Sequence, residues 1–292
     1  MIKSNLEKLV EVAVSGGAAH PCAREGERVA YDGGSILPAC FSGINFTVKV
    51  GDPAFDWAGA EGVEPGVAIE NCCDEANSGL VFMACVGNEA LIVNAAQEGK
   101  DKLKGMTGTV TGKTSCGRVL VHFPKRIVDK LCVGDAIQVR AVGQGLALPD
   151  YPDVKCMNLS PRLLKALNPS EKGGQVRVPV TKLIPASLMG KGTGDLLPYA
   201  GDIDIQASSP DEVKKLALDQ LRLGDIVAIK QYDATHGGRF HAPAVTVGVV
   251  VHGSGRTAGT GPGINVLMTS PSGAIDAIIT RKANLTELLG LQ

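Results

Sequence analysis

Short runs of β-branched and aliphatic residues recur along the chain, each bounded by a glycine-bearing turn. Ile44 to Val50 stops at Gly51-Asp52, Val67 to Ile69 follows Pro65-Gly66, and Leu91 to Val93 follows Gly87-Asn88. Such runs, about ten residues apart with turn residues between them, predict small β-barrels or sandwiches. The stretch Gly105 to Gly112, followed by Arg118 to Phe123, predicts a hairpin of an SH3-like barrel. Val81 to Val86 is apolar enough to predict a strand holding Cys85. The phrase Leu131-Cys132-Val133-Gly134-Asp135 is echoed by Leu221-Arg222-Leu223-Gly224-Asp225, which suggests two β-modules of similar construction.

Helical signals are few. Pro161 to Leu167 has Ser160 as its N-cap and proline at its first position; Ser209 to Leu218 starts on Pro210-Asp211 with Val213, Leu216 and Ala217 as an apolar stripe; Leu285 to Leu289 is the third. The expected fold is therefore mainly β with a few short helices, in two glycine-rich β-modules. At 292 residues the chain exceeds what one hydrophobic core usually serves. Asn168 to Gln175 is its most linker-like segment, which divides it into 1–170 and 171–292.

Composition narrows the function. The 37 glycines are scattered rather than periodic, which excludes collagen, and aromatics at 4% disfavour stacking platforms for nucleic acid or sugars. With 29 basic against 30 acidic residues there is no basic excess for phosphate neutralisation, so nucleic acid is not the expected partner. The densest basic group, Lys100, Lys102 and Lys104, is interrupted by Asp101 and reads as a solvated turn. None of the eight cysteines forms a CxxC pair. Met1 to Val14 lacks a signal-peptide apolar run, and Ala244 to Val251 is far short of a membrane span. Free thiols without an export signal place the expected protein in the cytoplasm, with no membrane partner and with self-assembly into a homo-oligomer expected.

Four segments together carry a resemblance: Val48 to Gly66, Gly143 to Asn158, Leu223 to Asp233 and Val245 to Gly263. In sequence and order they resemble the prokaryotic domain-of-unknown-function family 4438. The resemblance covers nearly the whole chain and implies a five-stranded barrel in the amino-terminal part, with no activity attached. The family pattern carries histidine where this chain has Gly62, Tyr151, Tyr232 and Thr260. Four histidines replaced together imply one shared metal or acid–base site, remodelled as a unit; drift in a distant paralogue is the competing explanation.

Of the five histidines, His20 reads as solvated and His122 as structural, whereas His236, His241 and His252 crowd near Asp233. Tyr232 to His241 follows a strand and reads as a loop, and antiparallel return of the next strand would bring His252 back to its base. Asp233, His236 and His252 are thus the candidate catalytic residues and metal ligands, against the alternative of a mobile solvated loop. Asp233→Ala would then abolish turnover with the melting temperature nearly unchanged. The loop Ser254 to Gly263 offers backbone N–H groups and one guanidinium, which casts Arg256, Thr260, Gly261 and Gly263 as binders of an anionic group. Neither this loop nor Gly190 to Asp204 is a Walker or Rossmann turn, so no nucleotide cofactor is expected; a divalent metal is the candidate. Thr114-Ser115-Cys116-Gly117 has no identifiable base beside it and reads as a turn.

A weaker architectural analogy is to acetamidase/formamidase-type amidohydrolases, in which an acidic turn precedes a Gly-Asp loop bearing histidine. Asp202 and Asp204 precede Gly224-Asp225 and Asp233 to His236 in similar order, which adds Asp202 and Asp204 to the substrate-binding or ligand set. The leading expectation is a small-molecule hydrolase acting on an amide or related C–N bond. The alternatives are a non-catalytic binding or scaffold paralogue, and RNA binding through the Gly105 to Phe123 barrel.

Overall fold

The computed structural model describes residues 2–21, 26–37, 41–59, 61–94, 101–190 and 198–291. Cys22, Cys40, Lys100 and residues 191–197 of the Gly190 to Asp204 loop lie outside them. The chain is mainly β with five short α-helices among the described residues.

The amino-terminal part is a closed barrel of six strands, one more than the five expected. Its order is Val12–Ala18, Val67–Glu70, Arg118–His122, Thr107–Thr114, Glu89–Asn94 and Ala136–Ala141, antiparallel throughout. The expected hairpin is present as Thr107–Thr114 against Arg118–His122, turned at Gly117 with φ 76°. Inward residues such as Ile69, Ile92, Val110, Val121 and Val139 fill the barrel.

A larger sheet follows in the order Lys182–Pro185, Ile226–Asp233, Arg239–His252, Gly263–Ser270 and Ile203–Asp204. Lys155–Cys156 adds to Gly263–Ser270 beside Ile203–Asp204. Both faces of this sheet are covered. Ile226, Ala228, Val247 and Val249 pack with Ala68 and Leu120 of the barrel, whereas Val227, Ile229, Val250 and Ile264 pack beneath Leu218 and Leu221 on the other side. Burial on both faces explains why Ile226 to Ile229 is a continuous apolar run rather than an alternating one. A third sheet joins Ser170–Lys172, Gln175–Val180 and Ile275–Ile279.

Several local expectations change. Asn168 to Gln175 is not a linker: Asn168 ends a helix in the left-handed conformation, and Ser170–Lys172 turns through Gly173-Gly174 to pair with Gln175–Val180. Asp74–Met83 is a helix that takes up Val81 to Met83, so Cys85 lies in the connection after it. The glycine and polar residues before Leu80 conceal its apolar face. Ile44 to Val50 forms only a single bridge, because Asn45 Oδ1 accepts from the Thr47 and Val48 N–H groups and curls the chain. The helix at Pro161–Leu167 keeps its cap, with Ser160 Oγ accepting from Leu163 N. That at 210 is shorter, Pro210–Lys215, and Leu285–Leu289 is capped by Asn284.

The repeated Gly-Asp phrase is one turn used twice. Cys132 N donates to Asp135 Oδ2 and Arg222 N to Asp225 Oδ2, at 2.8 and 2.9 Å. The glycines stand at φ 88° and 86°, conformations that a Cβ would strain.

Two devices join barrel and sheet. Gly112 lets the barrel hairpin approach Val251, which a Cβ would meet. Asn265 then acts as a piece of backbone: its Oδ1 accepts from Lys113 N at 2.6 Å, and its Nδ2 donates to the carbonyls of Lys113 and Gly201, both at 2.9 Å.

Candidate active site

Asp202 and Asp204 flank Ile203 in and beside a two-residue strand. Side chains alternate across a strand, so the Asp-x-Asp spacing puts both carboxylates on one face while Ile203 enters the core. Asp204 pairs with Gly263, which on its other side pairs with His252. A register shift between Val250 and His252 lies next to the histidine, the kind of irregularity that re-aims a strand-end side chain. Gly263 has to lack a side chain, because its Cβ would meet His252 Nε2 and Asp202 Oδ2.

The imidazole lies between the two carboxylates. His252 Nε2 is 2.9 Å from Asp202 Oδ2 and 3.3 Å from Asp204 Oδ1, and Nδ1 is 2.9 Å from the Gly253 carbonyl. Asp202 Oδ1 accepts from the Ser115 N–H at the barrel hairpin turn. One ligand atom from each of Asp202, Asp204 and His252 lies within 4.8 Å of the others. Burial works against charge on His252, but Asp202 and Asp204 outweigh it and hold its pKa well above 6.5. Burial likewise raises Asp202, but His252 and the Ser115 N–H outweigh it, and the carboxyl is lowered overall.

These residues line a cavity of about 50 Å³ with Glu61, Gly62, Glu64, Thr114, Ser115 and others. That is room for a few water-sized groups. Glu64 is buried and accepts from Ser42 Oγ at 2.6 Å, and burial raises its pKa despite Ser42, His252 and Arg118. Arg118 braces this side: it donates to Ser42 Oγ and the His20 carbonyl, both at 2.9 Å, and pairs with Glu70 at 2.8 Å. Thr114 Oγ1 is buried on the cavity wall without a hydrogen-bond partner among the described residues.

Three of the sequence candidates, Asp202, Asp204 and His252, therefore come together. Asp233 and His236 do not join them. Arg239–His252 is a single strand whose first residue pairs with Asp233, so His252 stands thirteen residues further along, roughly 40 Å of strand away. The strand begins inside the stretch Tyr232 to His241 expected as a loop, which concealed that length. Asp233 accepts from Thr235 N and Oγ1 and pairs with Arg239 at 3.0 Å, and His236 is exposed at the turn. Asp233→Ala is accordingly expected to cost about 1–3 kcal/mol of stability, because it opens a buried hairpin lock, and to leave any activity of the cavity intact. Urea denaturation read beside a binding assay checks both halves of that statement.

The glycine loop also differs from expectation. Thr260 and Gly261 line the cavity, but the anion cradle is filled from within: Glu61 accepts from the Arg256 and Thr257 N–H groups and from Thr257 Oγ1. Arg256 itself pairs with Asp32 at 2.8 Å. Sequence reasoning missed Glu64, Thr114 and Ser115 as wall residues, since they arrive from the barrel. The Thr-Ser-Cys-Gly turn was legible, but not what it faces.

The family pattern for the Domain of unknown function (DUF4438), N-terminal, matches residues 27–165, and that for its C-terminal domain matches 166–289. The chain belongs to the DUF4438 family. The crystal structure of TM1086 is similar to this DUF4438 chain over 98% of both, at 39% identity and a TM-score of 0.90. No curated protein matches. Of the four positions where the resemblance implied histidine, Gly62 and Thr260 line the cavity, and a Cβ on Gly62 would stand 3.3 Å from His252 Nδ1. Tyr232 is in the core beneath the distant hairpin and Tyr151 lies in a surface turn, so the four do not form one site.

Proposed function

We propose that the cavity binds a divalent cation through Asp202, Asp204 and His252 and hydrolyses a C–N bond of a small molecule, with Glu64 as its acid–base group. The observation that carries this reading is the convergence of two carboxylates and one imidazole at a cavity wall. Two details support it. The Gly253 carbonyl accepts from Nδ1–H, an arrangement that presents Nε2 to a metal, and a cation would take the place of the proton shared with Asp202. Buried carboxylates in excess of buried cations favour a positively charged occupant.

A bound cation would supply Lewis acidity and a more acidic water. Ser115 N–H orients Asp202, Thr114 Oγ1 offers a hydrogen bond to a ligand, and Glu64 moves the proton. The six described cysteines are free, which agrees with a reducing cytoplasm.

Titration with Zn²⁺ or Mn²⁺ by calorimetry is the test. Wild type is expected to bind one equivalent, and Asp204→Asn to bind at least tenfold more weakly. Glu64→Gln should keep the metal and lose turnover of an amide panel. Equal metal binding by wild type and Asp204→Asn would refute the centre; unchanged turnover in Glu64→Gln would remove Glu64 from it.

A further inference from the structure

Beside the small cavity lies a cleft of about 570 Å³, the size of a pocket for a small organic ligand. The two share Glu61 and Gly255 as a common wall. Although aromatics are scarce, Tyr31, Phe55 and Trp57 all line this cleft. Trp57 Nε1 donates to the Pro53 carbonyl at 2.8 Å, which fixes the ring, and Asp56 between the two aromatics stands at φ 68°. Asp56 and Asp219, also on the wall, make no ion pair or side-chain hydrogen bond among the described residues. Of the cleft's two cations, Arg256 is paired with Asp32 and Lys214 is exposed on the short helix Pro210–Lys215. Glu61 is itself part of the shared wall, and Glu64, Asp202 and Asp204 lie just beyond it.

Aromatic faces with carboxylates nearby attract organic cations, through ring quadrupoles and through charge. Anions are disfavoured, because the loop's donors are already taken by Glu61 and Asp32. We infer that the cleft holds the organic body of the substrate and that this body is a small aromatic or alkyl amine, protonated at neutral pH. The inference rests on the proposed function only for the word substrate; the cleft and its preference stand without the metal.

Trp57 is the chain's single tryptophan, so its fluorescence reports the cleft directly. The probes are benzylamine, benzyl alcohol and phenylacetate, added to the full chain. Benzylamine is expected to change Trp57 emission saturably and to bind roughly tenfold more tightly than benzyl alcohol, with phenylacetate weakest. The double variant Asp56→Asn/Asp219→Asn should remove most of that preference, and asparagine tolerates the positive φ at position 56. Asp204→Asn should weaken benzylamine binding much less than the double variant does. Phenylacetate or benzyl alcohol binding as tightly as benzylamine overturns the inference, as does a preference that survives the double variant. Loss of benzylamine binding in Asp204→Asn would put the amine at the proposed metal centre and overturn the cleft assignment. Metal binding without any amine preference sinks this inference alone and leaves the centre standing.

Discussion

Asn265→Ala is expected to lower the unfolding free energy by about 3–5 kcal/mol, measured by urea denaturation. The side chain is fully buried and closes three hydrogen bonds to backbone: the N–H and carbonyl of Lys113, and the carbonyl of Gly201. Alanine would leave those three groups without partners at the junction of barrel and sheet, and each orphaned buried group costs about 1–3 kcal/mol. The effect should reach the cavity as well, because Gly201 precedes Asp202 and Lys113 precedes Thr114. A variant within about 1 kcal/mol of wild type would mean that water or a backbone shift replaces the amide.

The second large effect is one of pH. Lys113 is fully buried, with Nζ donating to Asn158 Oδ1 at 2.7 Å, the Tyr199 carbonyl at 2.9 Å and the Phe82 carbonyl at 3.4 Å. Burial lowers its pKa from 10.5 to about 8, with slight opposition from Cys85. The unfolded chain therefore binds more protons than the folded one between about pH 8 and 10.5, and stability rises with pH across that window. The whole change is about 3 kcal/mol. Cys85 and Cys156 oppose it from pH 9 upward, because burial raises their thiols to about 11 and 12, so the folded chain keeps protons that the unfolded chain loses. Comparison with Lys113→Met isolates the lysine. Relative to that variant, wild type should gain stability between pH 7.5 and 10 in thermal melts, with the early part below pH 9 clearest. A difference independent of pH would show that the ammonium is not desolvated as its surroundings imply.

Much of the local structure could be read directly. The Ser160-Pro161 helix start, the hairpin around Gly117 and the paired Gly-Asp turns each depend on residues within a few positions, where capping, positive φ and side-chain-to-backbone bonds act. The Asp-x-Asp pair was legible as a candidate, and alternation along a strand put both carboxylates on one face. The helix Asp74–Met83 was not, because its apolar face is confined to Leu80 and Val81 and its burial comes from distant strands.

The site divides along the same line. Sequence alone determined a β-rich chain with tight glycine turns, the acidic pair Asp202 and Asp204, and His252 at the end of a strand. Only the tertiary structure decided which acid met that histidine. Strand length carried His252 away from Asp233, and sheet order set Gly263 between it and Asp204. The barrel hairpin then delivered Thr114 and Ser115, while a separate barrel-side segment supplied Glu64. Contacts across fifty or more residues depend on register and on which chain fits beside which, and those are properties of packing that no local pattern encodes.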